Sequence, residues 1–136
     1  MNTAGRYYLN GVEPKLIGQC CTGFVLQHFY EGQQITDQVN VAYLRFAEQW
    51  YRLYFECETI FWRMSEPPEA AENSDLSYGL LLNDLSGMRS VVGQTVQAVA
   101  YSASESGDVR AIITFANGKS LEFAHSCEAD STRLAG

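Results

Sequence analysis

Residues 39–64, VNVAYLRFAEQWYRLYFECETIFWRM, crowd β-branched and aromatic side chains together without the three-and-four spacing that one face of a helix requires. This stretch predicts three strands, at 39–46, 50–56 and 59–63. Ala47-Glu48-Gln49 and Cys57-Glu58 are the turns of an antiparallel meander. The same grammar returns at 109–115 and 120–125. Between those two runs stands Asn117-Gly118, the pair that best tolerates the positive φ angles of a type I′ turn, so a hairpin is expected there.

The two regions share more than composition. Leu16-Ile17-Gly18-Gln19 is echoed by Val91-Val92-Gly93-Gln94, and each leads into a strand-like stretch, at 24–30 and 95–101, and then a hairpin. We align the turn after Phe55 with the turn after Phe115. The first copy is longer, which calls for an insertion around 32–38. The expected fold is therefore mainly β, with antiparallel sheets built from two repeated β-meander units at about 16–64 and 91–126. One domain spans 1–136, and an acidic, proline-containing linker occupies 65–77. At 78–89 a short strand and a helical turn remain alternatives, and the helical one would make the fold α+β. The tail, 128–136, has no pattern and is expected to be mobile.

Charge restricts the partners. A net charge of −7 repels nucleic-acid phosphates over most of the surface and favours encounter with a basic partner. No run of apolar residues is long enough for a helix to cross a membrane, and 1–11 lacks the pattern of a secretory signal. The cytoplasm is the expected compartment, with Cys20, Cys21, Cys57 and Cys127 as reduced thiols.

Chemistry is sparse. His28 and His125 lie in apolar, strand-like settings, where a general base or a metal ligand competes with a hydrogen-bonded structural role. Adjacent Cys20-Cys21 and the pair His125-x-Cys127 match no structural zinc spacing, so no metal is expected. No phosphate-binding glycine loop and no nucleophile elbow occur, so neither a cofactor nor an enzymatic role is expected. Glu56 and Glu58 flank Cys57 at a presumed hairpin tip, where a glycosidase-like pair competes with simple solvation. Alternation along 50–56 places Trp50, Arg52, Tyr54 and Glu56 on one face and Tyr51, Leu53 and Phe55 on the other. One face is core, and the other is either covered or presented to a partner.

The order hydrophobic-Gly-Gln, strand, strand, Phe-x-Asn-Gly, strand is similar to a module of small bacterial proteins. In length, acidity and lack of a catalytic motif, the chain resembles the immunity proteins that neutralise toxins of contact-dependent and polymorphic toxin systems. That resemblance implies a binding protein that occludes a basic toxin domain, in some cases a nuclease. Trp50, Tyr54, Glu56 and Glu58 would form the docking surface, with Glu66, Glu69, Glu72 and Asp75 as an acidic rim. The alternatives are a small-ligand or regulatory domain with a pocket between the repeats, a homodimer paired through its aromatic strands, and a hydrolase in which both histidines converge on a cleft.

Overall fold

The computed structural model describes residues 5–69 and 78–135. These form ten strands: β1 (Tyr8–Asn10), β2 (Cys21–Glu31), β3 (Gln34–Phe46), β4 (Gln49–Glu56), β5 (Thr59–Ser65), β6 (Tyr78–Asp84), β7 (Val96–Ala103), β8 (Val109–Phe115), β9 (Ser120–Ser126) and β10 (Ser131–Ala135). Among the described residues there is no helix, so the mainly β expectation holds in its plainest form and 78–89 is resolved in favour of the strand β6. Among the described residues no helix is long and apolar enough to cross a membrane.

Two sheets face each other. One has the order β1-β5-β4-β3-β2-β6 and the other β10-β9-β8-β7; every pairing is antiparallel except that of β1 with β5. The alternation expected along β4 is observed, with Leu53 and Phe55 buried and Trp50, Arg52 and Tyr54 half-buried on the far side. Phe24, Leu26, Leu44, Phe46 and Trp62 from the larger sheet meet Ile113, Phe115, Leu121 and Phe123 from the smaller one in a common core. The Trp62 indole N–H donates to the Tyr101 hydroxyl across that core at 2.8 Å, giving a buried donor the partner it needs.

Strands β2–β5 and β7–β10 are four-stranded meanders of the same connectivity, and they match in detail. Gln19 N–H donates to Leu16 O (2.9 Å) and Gln94 N–H to Val91 O (3.1 Å), closing two turns whose third residues, Gly18 and Gly93, have φ near +90°. The turns then bond to each other reciprocally. Gly18 N–H donates to Val96 O while Gly93 N–H donates to Cys21 O, and Val96 N–H donates to Gln19 O while Cys21 N–H donates to Gln94 O. Residues Cys20 and Thr95 form the bridge at the centre of this local two-fold arrangement.

The register corrects the expected alignment. Cys21 faces Phe46 and Val96 faces Phe115, each pair followed at once by a register shift, so the turn after Phe115 corresponds to the turn after Phe46 rather than the one after Phe55. The difference in length lies in the first hairpin. There β2 and β3 run 11 and 13 residues against 8 and 7 for β7 and β8, and their tip at Gly32-Gln33 falls within the predicted insertion.

Two further expectations are overturned. The tail is not patternless, because Ser131–Ala135 pairs with β9 and its outer edge is sealed by β3. Thr132 N–H donates to Asp37 Oδ1 (2.8 Å) and Leu134 N–H to Gln38 Oε1 (2.9 Å), which removes the unpaired amides of an edge strand. The thiols are not all reduced either. Cys57, in the β4–β5 turn, and Cys127, in the corresponding β9–β10 turn, form a disulfide with Cα atoms 4.8 Å apart, tying together the same corner of the two meanders. Of the acidic stretch 65–77, Ser65 ends β5, 66–69 have no regular structure and 70–77 lie outside the described residues.

Candidate docking groove

The eight residues expected to form one surface are distributed over the molecule. Trp50 lies among arginines on the outer face of the larger sheet. Arg45 lies directly opposite Trp50, and Arg52 lies between Tyr43 and Arg63 in the cross-strand row. Trp50 lies against the backbone of β2, where a Cβ on Gly23 would come within 2.7 Å of its ring. Glu58 is exposed at the hairpin tip, its backbone held between Gly107 O and Tyr8 N–H. Glu66 and Glu69 border a separate depression with Tyr43, Arg52 and Met64. Glu72 and Asp75 fall outside the described residues.

Tyr54 and Glu56 alone of the eight meet in a second hollow, a groove of about 610 Å³ whose walls come from both sheets. One wall is aromatic: Tyr54 stacks on Phe61 with ring centroids 4.8 Å apart and planes 4° from parallel, and Phe29 lies beside them. The charged carboxylate groups face them. Glu31, Asp37, Glu56 and Asp130 line the groove, and no Lys or Arg is found among its described lining residues.

At its inner end is His125, 3% exposed, on β9. Its Nδ1 lies 2.8 Å from Thr132 Oγ1, while its buried Nε2 has no hydrogen-bond partner among the described residues and stands 3.8 Å from Asp130 Oδ1, beyond hydrogen-bond reach. Burial pulls the His125 pKa below the ordinary histidine value, against the opposing pull of Asp130, Asp37, Asp108 and Glu56. Burial likewise pushes the Asp37 carboxyl up, although the Thr132 amide and nearby His125 work the other way. Both groups therefore sit in a poorly solvated acidic hollow with no Lys or Arg among its described lining residues.

Other chemistry is dispersed. His28 bonds through Nδ1 to Gln38 O at 2.6 Å and does not line the groove, so the two histidines do not converge there as the hydrolase reading requires. Burial pushes the Cys21 thiol up to about 11, the range of an unreactive sulfur, and Cys127 is committed to the disulfide. No set of three or more metal-ligating side chains is assembled among the described residues.

Sequence reasoning missed Asp37 and Phe61, and it set aside Asp130-Ser131 beside His125 as part of a mobile tail. Asp130 was readable only as part of a tail, and Asp37 only as part of an insertion, since nothing local joins residues from β3 to a turn beyond β9. The chain matches no family model, no curated protein and no solved structure.

Proposed function

We propose that this chain is a non-enzymatic binding protein that docks a basic partner protein over the groove between its two sheets. The observation that carries the reading is the groove's lining: four carboxylates beside an aromatic stack, with no Lys or Arg among the groove's described lining residues. Such a surface steers a basic partner by charge and offers flat rings for burial once contact is made. In the immunity reading the partner is a toxin domain, held by occlusion of its basic cleft. The acidic face then consists of Glu31, Asp37, Glu56 and Asp130 around Tyr54, while Trp50 belongs to the arginine-bearing face and Glu58 is not among the groove's lining residues.

The Cys57–Cys127 disulfide favours an oxidising compartment over the cytoplasm expected from the sequence. On this reading the partner is met outside the reducing cytosol, which disfavours a toxin intercepted there.

The test is capture of partners from the native host by the tagged protein at low and moderate salt, identified by mass spectrometry. A stoichiometric basic protein, held less well as salt rises and lost with the double variant Glu56→Lys and Asp130→Lys, supports docking at the groove. Recovery of the tagged protein alone at both salts, or capture unaffected by those substitutions, overturns it.

A further inference from the structure

The groove contains a more specific feature than its charge. A buried imidazole nitrogen without a partner is costly, because it forfeits a hydrogen bond to water and gains none from the protein. His125 Nε2 is in that position among the described residues, and Asp130 Oδ1, 3.8 Å away, is too distant to help. Asp130 itself is 83% exposed on the β9–β10 turn, so its side chain is free to swing away from the ring. Asp37, from the opposite sheet, has Oδ1 committed to the Thr132 amide, and no Lys or Arg is among the groove's described lining residues. Glu56 comes from the end of β4, close to the aromatic stack.

We infer that the inner end of this groove is a subsite for one guanidinium group of the partner, an arginine side chain seated between Asp37, Glu56 and Asp130 against Tyr54. His125 Nε2 is the uncharged acceptor that completes it. The inference rests on the proposed docking of a basic partner and names the group that the groove recognises. A guanidinium presents five N–H donors in one plane, enough to serve two or three carboxylates and the imidazole together while its face lies on a ring. The molecule already uses that pairing once: the Arg63 guanidinium lies 5.6 Å from the centroid of Phe61, the ring stacked on Tyr54. For Nε2 to accept, the imidazole proton must sit on Nδ1. The Thr132 hydroxyl oxygen, 2.8 Å away, is placed to receive it.

The sequence contains two histidines, which makes the test spectroscopic. The ring resonances of His125 and His28 are assigned by substituting each in turn and are then followed at pH 7.5 while butylguanidinium is added to the oxidised protein. Butylurea, its uncharged isostere, serves as the comparison. The expected result is a saturable shift of the His125 signals with butylguanidinium alone, while His28, bonded to Gln38 outside the groove, does not move. Glu56→Gln and Asp130→Asn, both substitutions of exposed residues, should each weaken binding by roughly tenfold, the scale of one charge-assisted hydrogen bond. Equal response to butylurea, movement of both histidines together, or no saturable response overturns the subsite. The two readings separate cleanly. Saturable binding without a captured partner leaves the subsite standing and removes the docking reading, whereas a captured partner with a silent His125 does the reverse.

Discussion

Burial displaces His125 and Asp37 in opposite senses on the pH scale, and the two have opposite consequences for stability. The folded His125 has a pKa below the unfolded value near 6.5, so between those two values the unfolded chain holds more protons than the folded one. Stability attributable to His125 is therefore full above pH ~6.5 and falls as the pH drops toward the folded pKa. Asp37 behaves in the other direction. Its folded pKa is raised above 3.8, so the cost of holding its charge is present at neutral pH and is relieved on acidification through the folded value. Urea midpoints should accordingly decline from pH 7.5 to 6, and His125→Gln should flatten that decline; an unchanged slope in the variant means that another group is responsible. His125 was legible in the sequence as a structural histidine in an apolar strand, and its Nδ1 bond to Thr132 fits that role. Its unpartnered Nε2 was not legible, because the absence of a partner depends on how three other segments pack around the ring.

At the scale of elements, the repeated Leu-Ile-Gly-Gln and Val-Val-Gly-Gln motifs mark two turns that bond to each other. The backbone at Gly18 and Gly93 lies in the left-handed region, at +89° and +91°, and a Cβ at either position would meet nothing within 4 Å. Gly18→Ala and Gly93→Ala should therefore each cost about 1–2 kcal/mol through backbone strain alone, and by similar amounts, as measured by chemical denaturation. A large difference between them would break the equivalence of the two turns. Gly23→Ala presents a different problem, since there the added carbon meets the Trp50 ring at 2.7 Å. Side-chain alternation made β4 and its two faces readable in advance, because a half-buried strand repeats every two residues. Strand β10 was not readable. Ser131–Ala135 is short and weakly patterned, and its order comes from pairing with β9 and from the Asp37 and Gln38 side chains that cap its outer edge.

For the molecule as a whole, the disulfide is the strongest single constraint between the two meanders. It joins residues 70 positions apart, and closing a loop of that length restricts the unfolded chain by about 4 kcal/mol in the chain-entropy account. Reduction, or the pair Cys57→Ser and Cys127→Ser, should lower the unfolding free energy by up to that amount while leaving the strand content intact by circular dichroism. No change on reduction would show that the bridge is not formed in the folded protein. Such a clamp beside the groove also holds the β4–β5 and β9–β10 turns together, and these turns adjoin Glu56 and carry Asp130 respectively. Local pattern was sufficient for the β class, the three strands within 39–64 though not the start of β3 at Gln34, a hairpin at Asn117-Gly118 though only Gly118 takes the positive φ of the expected type I′ turn, and the existence of two similar units, because alternation acts over a few neighbouring residues. The pairing of Phe46 rather than Phe55 with the position of Phe115, the Cys57–Cys127 bridge and the meeting of Asp37, Tyr54, Glu56, His125 and Asp130 in one groove depend on packing two sheets face to face. Contacts of that kind join residues far apart in the chain, and no local spacing records them.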